Sequence, residues 1–505
     1  MSMMTVHEPR NLLRARPLGI DTHSEPVVFL RKDSPVCRSE GLASHNRVLL
    51  SAGNRHVIAT LYQVRDGMLA PEEAGLSEAA WRRLGAPEHS HVRVHHAPPV
   101  ESLSLMRRRI YGHDLDETSY QDIITDIVDG RYSSVDVSAF VTACAARPLS
   151  RTEVCGLTRA MINTGDRLRW DAPVIADKHS VGGIPGNRTT PIIVSIIAAL
   201  GLVMPKTSSR AITSPAGTAD TMETMAPVNL NAEQIRAVVE KEGGCIAWGG
   251  AVQLSPADDI LIGIERALDL DSEGQMIASI LSKKIAAGAT HLVVDMPVGA
   301  TAKVRSGIAA HALGEGLQAA AAEFGLKIAI FTGDGNQPVG RGMGPALEAR
   351  DVLAVLKGAP EAPADLRARA LALSGTLLEM TGHAATDAGL RMATQALQSG
   401  AAWAKFQRIC EAQGGMREPP ASSHRKLLTA PHAGTLSQLD NRRLARLAKL
   451  AGAPDDPAAG IEMHVRLGDR LAKGDALCTV HAEAPGELAY ALAYADVNPD
   501  IFRVA

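Results

Sequence analysis

The sequence predicts a multidomain α/β and α+β protein: a small helical domain, a large α/β domain with a mostly parallel sheet, and β-rich domains at both ends. Three observations carry this prediction. From about residue 172 to 425, short apolar strand-like runs alternate with helical patterns, which is how strand–helix–strand units and parallel sheets are written. Before that stretch, residues 101–169 turn helical. Toward either end of the chain, short strand-like runs are broken by turn residues. A chain of 505 residues has room for several domains of about 100–200 residues each.

In the first domain, residues 1–97, the runs PVVFL (26–30), RVLLS (47–51), HVIATLYQV (56–64) and HVRVHHA (91–97) have strand length and β-branched content. Pro71–Leu84 reads as one helix, with Pro in its first turn and Glu72 and Glu73 near the positive end of its dipole. His91, His95 and His96 suggest a metal site at first sight. Strand alternation places His95 and His96 on opposite faces, so they read as a solvated strand face and no metal is assigned. A boundary falls at Ala97-Pro98-Pro99. The helical runs that follow, through Gly165, have Gly112, Gly130 and Gly165 where C-caps fall, and Ser133 and Ser150 where N-caps fall. Arg107–Arg109 reads as a solvated helix face.

In the α/β domain, residues 171–425, the strand candidates are APVIA (172–176), CIAWGG (245–250), HLVVDMPVG (291–299) and KIAIFTGDG (327–335). Ala257–Gly288 between two of them is long and helical. After Pro419-Pro420 the chain changes to short strands with Gly-Asp turns at Gly468-Asp469 and Gly474-Asp475, giving a β-rich C-terminal domain, residues 426–505. Its pattern also occurs in biotinyl and lipoyl carriers. The exposed acceptor lysine of a carrier is absent, so a packing role is expected.

Composition excludes several function classes. A net charge of −3 suggests no broad nucleic-acid or anionic-membrane surface. The six cysteines are scattered without a CxxC pair, as in a reduced, cytoplasmic protein. The N-terminus lacks an apolar core of signal-peptide length, and no apolar run reaches transmembrane length. Walker A, HExxH and GxSxG strings are absent.

The chemistry concentrates between Asp177 and Glu223. Two hydroxyl- and glycine-rich loops, DKHSVGGIPGNRTTP and KTSSRAITSPAGTADTME, bracket an apolar helix, IIVSIIAALGL. A Gly-rich loop opening a helix is an anion cradle, because backbone N–H groups and the helix N-terminus both face the ligand. Gly182, Gly183 and Gly186 let the backbone approach closely. Lys178 adds a charge, and Ser180, Thr189 and Thr190 add hydroxyls. The second loop repeats this chemistry with Lys206, Ser208, Ser209, Arg210, Thr213, Ser214, Gly217 and Thr218.

These loops resemble the thymidine/pyrimidine-nucleoside phosphorylase family. Asp177–Gly183 match its DKHS-x-GG motif, and Ser208–Glu223 match its second signature except at Pro215, where the pattern has Thr or Ala. The stretch 334–353 matches a third motif. The wording PGN and SSRAITS is most similar to the AMP phosphorylase branch. The resemblance runs from about residue 100 to the C-terminus, with a weaker likeness to the AMP phosphorylase N-terminal domain before it. It implies that residues 100–170, completed by about 257–288, form a helical jaw that closes on the α/β domain. It also implies that the first domain helps multimerisation, in a homodimer or larger assembly.

The resemblance further implies phosphorolysis of an N-glycosidic bond. Phosphate must be held as nucleophile beneath C1′ of the sugar, the sugar oriented, and the leaving base given a proton or hydrogen bond. Phosphate falls to Lys178, Ser180, Gly182, Gly183, Ser208 and Thr218. Substrate falls to Gly183, the segment Ser209, Arg210, Ala211, Ile212, Thr213, Ser214, then Thr218, Ser279, Lys283 and Lys303. His179 and Asp271 are the two candidate proton donors, and Asp271 reads equally as an N-cap before Ser272-Glu273. Inorganic phosphate is a co-substrate, and no cofactor is expected. Because Ser209–Ser214 resemble the segment that grips the nucleotide in AMP phosphorylases, where Arg210 can pair bidentately with a 5′-phosphate, the substrate the resemblance implies is a nucleoside 5′-monophosphate giving base and ribose 1,5-bisphosphate. A thymidine or pyrimidine-nucleoside phosphorylase is the alternative. A non-catalytic nucleotide-binding regulator, which would release no base, is the alternative of another class.

Overall fold

The structure is a computed structural model and describes residues 12–22, 25–65, 67–211, 214–270 and 272–505. The chain divides into two compact units, Met1–Arg147 and Pro148–Ala505.

The first unit holds a closed barrel of six strands, Leu12–Pro17, Val27–Arg31, Arg47–Ala52, Arg55–Val64, Glu73–Leu76 and His91–His96. Leu12–Pro17 pairs in parallel with Glu73–Leu76, and Val27–Arg31 with Arg55–Val64. Inward-facing Leu13, Val28, Leu30, Val48, Leu50, Leu61, Val92 and Val94 fill the barrel. One strand here was not among those expected, and one expectation changes. LLRARP is a strand whose alternation rests only on inward Leu13 and Ala15, too few apolar residues to stand out. Pro71–Leu84 is not one helix: Glu73–Leu76 is a fully buried strand, and the helix runs only over Glu78–Leu84, capped by Ser77 accepting from the Ala80 N–H. Gly75 lets the strand pass close under Leu18, where a Cβ would lie 2.6 Å from Cδ1 and push that side chain aside.

Helices Ser102–Ile110, Glu117–Val128 and Ser134–Ala146 complete this unit. Gly112 and Gly130 adopt φ of +85° and +71° just past two of them. Ser133 forms a capping box with Asp136. Arg107 and Arg108 are exposed as expected, but Arg109 is buried and donates to the Arg147 carbonyl at 2.5 Å.

The second unit is built on five parallel strands, Ala176–Ser180, Met204–Ser208, Gly244–Trp248, His291–Val298 and Lys327–Asp334. His291–Val298 pairs with Ala176–Ser180 on one side and Lys327–Asp334 on the other. Met204–Ser208 pairs with Gly244–Trp248, and a parallel bridge between Ile175 and Val203 joins the two groups. Counted along the chain, the spatial order is third, second, first, fourth, fifth. The order reverses between Ala176–Ser180 and His291–Val298, and open α/β sheets bind ligands beyond the carboxyl ends of the strands at such a reversal. Beneath the sheet, helix Thr190–Ala199 is buried all round, with Ile192, Ile193, Val194, Ile196 and Ile197 in the core.

The first strand of this sheet is displaced from expectation. APVIA contributes only Ala176, and the strand is ADKHS itself. Helix Arg151–Asn163, capped by a Ser150/Glu153 box, packs against Glu273–Ala286. Gly165 is not a left-handed C-cap. It permits close passage instead, since a Cβ would meet the Leu254 carbonyl oxygen at 2.3 Å. The long helical segment breaks at Asp269, φ +51°, into Pro256–Leu268 and Glu273–Ala286. The C-terminal region adds helices Asn441–Leu450 and Pro485–Val497 to its short strands, and Gly468 and Gly474 make the expected turns at φ of +93° and +91°. Among the described residues no helix is long and apolar enough to cross a membrane.

Candidate active site

Strand Ala176–Ser180 ends at the sheet reversal, and its alternation sends successive polar side chains to opposite faces. On one face, Asp177 takes Lys206 at 3.3 Å and Lys284 at 2.9 Å, all three buried. Burial would raise this carboxyl, but the two ammonium groups outweigh it and hold Asp177 below the usual carboxylate range. Burial drives Lys206 well below the ordinary lysine value, with Lys284 adding repulsion.

On the other face, Lys178 lies 3.5 Å from Asp295. The Asp295 carboxylate also accepts from Arg369 at 2.6 and 3.0 Å and from Asn187 Nδ2 at 2.8 Å, and Asn187 reaches Ser180 Oγ at 3.3 Å. Asp295 is opposite Ser180 in the strand register. Burial pushes Lys178 down to about 8, with Asp295 opposing and Arg369 and Arg188 assisting.

Gly182, Gly183 and Gly186 all hold φ between +77° and +89°. At Gly183 a Cβ would stand 2.1 Å from the Lys303 backbone nitrogen, and at Gly186 2.3 Å from the Val339 carbonyl oxygen, so both are close-approach glycines. Gly182 faces open space. Arg188 ties the two loops together: it donates to Glu348 at 2.6 Å, Thr218 Oγ1 at 2.7 Å and the Ala216 carbonyl at 2.8 Å. The hydroxyls of Thr189 and Ser208 are buried without a hydrogen-bond partner among the described residues.

The second loop folds back on itself. Arg210 is engaged from within: its guanidinium donates to Glu223 at 2.6 and 3.1 Å and to Asp220 at 3.1 Å, and it stacks over Trp248 at 5.0 Å. The loop's own carboxylates thus occupy the fork for which a 5′-phosphate role was expected. Asp220 also accepts from the Ala211 and Gly217 N–H groups, and Ser214 Oγ bonds the Ala216 carbonyl. Ser209 is exposed. Ile212 and Thr213 lie outside the described residues, as does Asp271.

Two helices supply the remaining candidates. Lys283 donates to Asp258 at 2.7 Å and to Ser279 Oγ at 3.1 Å. Burial and the Asp258 charge push neighbouring Asp259 up to about 6. Lys303 is exposed, its backbone against Gly183. Burial, then Lys284, Lys283, Lys206 and Lys178, hold the His179 imidazole well below its ordinary value. It is neutral at pH 7 and can offer a ring N–H, not an imidazolium proton.

Sequence reasoning missed Asn187, Arg188, Asp295, Glu348 and Arg369. One signal was present: an aspartate inside the otherwise apolar HLVVDMPV is out of place in a buried strand unless it has partners.

Residues 103–165 match the "Glycosyl transferase family, helical bundle domain", residues 172–403 the "Glycosyl transferase family, a/b domain", and residues 435–501 the "Pyrimidine nucleoside phosphorylase C-terminal domain". A "Putative thymidine phosphorylase" of Sphingopyxis alaskensis is 60% identical over 98% of this chain and 96% of that protein. The chain belongs to the thymidine and pyrimidine-nucleoside phosphorylase family. It is accordingly a pentosyltransferase of the phosphorylase type. Another relative, "Putative thymidine phosphorylase 2" of Acidovorax sp., is 57% identical over 99% of this chain and 97% of its own. The anthranilate phosphoribosyltransferase of Thermus thermophilus shares the fold, with a TM-score of 0.51 at 19% identity, over 61% of this chain and 98% of that one. The helical bundle and parallel sheet of this phosphorylase-family chain are thus a shared framework.

Proposed function

We propose that this phosphorylase cleaves a pyrimidine nucleoside such as thymidine with inorganic phosphate, giving the free base and a pentose 1-phosphate. The observation that carries the reading is the cluster at the sheet reversal, where Lys178, Ser180, two positive-φ glycines and the unpartnered Thr189 and Ser208 hydroxyls meet the requirements of a phosphate cradle. Thr218 accepts from Arg188 and so keeps its own O–H for a phosphate oxygen. In this reading a phosphate oxygen attacks C1′ as the C1′–N bond breaks. Its electron pair passes into the pyrimidine, stabilised at a ring carbonyl by the N–H of neutral His179. Ser279 and Lys283, the latter steadied by Asp258, hold the base, and Asp271 remains a proposed acid. No cofactor is invoked.

The relatives' names and the matched C-terminal domain favour a nucleoside, and so does the internal pairing of Arg210. One observation favours a nucleoside 5′-monophosphate instead: the wording Ser209-Arg-Ala-Ile-Thr-Ser214. Base release with and without phosphate from thymidine, uridine, AMP, CMP and UMP separates the two. Release from thymidine or uridine is expected. Release from the monophosphates alone would return the loop to a 5′-phosphate role, and release from none would remove the phosphorolytic reading.

A further inference from the structure

We propose that Asp295, clamped by Arg369, is a positioning residue that aims Lys178 at the phosphate nucleophile and keeps that lysine charged. The inference rests on the reading that Lys178 holds phosphate. Asp295 is fully buried in a strand that is otherwise apolar around it, and an unpaired carboxylate there would be costly. Its two oxygens are divided between tasks. Oδ1 takes both Arg369 contacts, which leaves Oδ2 for Asn187 and Lys178. Arg369 reaches it from helix Ala364–Met380 across the outermost strand of the sheet. Its path is built for it: the guanidinium passes over Gly333, where a Cβ would lie 2.8 Å from Nη1, donates to the Asp334 carbonyl at 3.3 Å and sits 5.9 Å from the Phe331 ring centre. At 3.5 Å the Lys178–Asp295 contact is an ion pair longer than a good hydrogen bond, so the ammonium is steered without being consumed.

The charged groups facing Lys178 are Asp295 from its neighbouring strand, Arg369 from helix Ala364–Met380, and Arg188 from the glycine-rich loop, itself paired with Glu348 of helix Pro345–Lys357. Asp295 favours the charged lysine and both arginines oppose it. Removing Asp295 and removing Arg369 therefore have opposite signs, which a purely structural role would not produce.

The test is the pH dependence of kcat/KM for inorganic phosphate in the full-length protein, at a saturating level of whichever compound in the panel releases base. Asp295→Asn moves the alkaline limb toward lower pH by about one unit or more. It raises KM for phosphate about fivefold at pH 8, with KM for the nucleoside little changed, because a one-unit fall takes a lysine at its midpoint from about one-half to about one-eleventh charged. Arg369→Gln moves the limb toward higher pH, and Arg369→Lys stays near the parent. If Asp295→Asn does not fold, the direction of the Arg369→Gln limb decides alone. Limbs that stay in place, while Lys178→Gln still raises KM for phosphate, overturn the positioning role. An unchanged phosphate KM in Lys178→Gln overturns the underlying reading of the lysine, and the inference with it.

Discussion

Lys178 and His179 are neighbours in sequence, yet the fold gives them opposite electrical characters. Lys178 has Asp295 beside it and stays charged until pH rises through about 8. Above that value it loses its proton and, on the proposed role, phosphate use falls. His179 sits among four lysines and pairs with no carboxylate among the described residues, so it stays neutral where an ordinary histidine gains its proton. The pH profile is therefore expected to lack an acid limb from histidine near its ordinary value. His179→Gln, which keeps an N–H donor, should retain far more activity than His179→Phe, whose loss falls in the range of about 10²–10³ for a lost transition-state hydrogen-bond donor. Equal losses in kcat for the two would show that the ring, not its N–H, matters. The adjacent glycines make a second contrast. Gly183→Ala must place a Cβ 2.1 Å from the Lys303 nitrogen at φ +88°, so it should abolish phosphate use and lower Tm. Gly182→Ala has open space and carries only the left-handed backbone cost of about 1–2 kcal/mol, which a denaturation series resolves.

At the scale of elements, the helix starts were the most legible part of the chain. Ser133 and Ser150 were recognisable as caps because a side-chain oxygen followed three residues later by Asp136 or Glu153 leaves the backbone few alternatives. Replacing either serine with alanine should cost about 1 kcal/mol in urea unfolding, and no effect from either would mean these helices draw their starts from packing alone. Strand Ala176–Ser180 was misplaced for a physical reason. A buried strand is expected to be apolar, and ADKHS is polar because its side chains are held by Lys206, Lys284, Asp295 and Asn187 from other elements. Local rules fail at a site where distant partners supply the compensation. The same holds for Glu73–Leu76, whose strand identity comes from barrel closure and the passage under Leu18.

At the scale of the whole molecule, the class of fold and the two loops were readable, and the spatial order of strands was not. Each strand advertises itself by its apolar run, but no local feature says that the first strand lies between the second and the fourth. That order brings Asp295 beside Ser180 over a separation of more than a hundred residues, and helix Ala364–Met380 then delivers Arg369 to the same carboxylate. The reversal of order was the missing information, and it places the glycine-rich loop where open α/β sheets receive ligands. Arg210 shows the converse. Its motif was legible, but the return of Asp220 and Glu223 onto its guanidinium depends on the loop's path, and that pairing shifted the proposed substrate from nucleotide to nucleoside.

The central claim is that inorganic phosphate binds at this reversal, on the Lys178 face of the strand. Calorimetric titration of phosphate into the parent protein and into Lys178→Gln at pH 7 tests it most directly. The account predicts saturable binding by the parent and a loss of at least about tenfold in affinity for the variant, the scale of one charge-assisted contact. Equal affinity in the two proteins, with the variant folded as judged by its Tm, would contradict it.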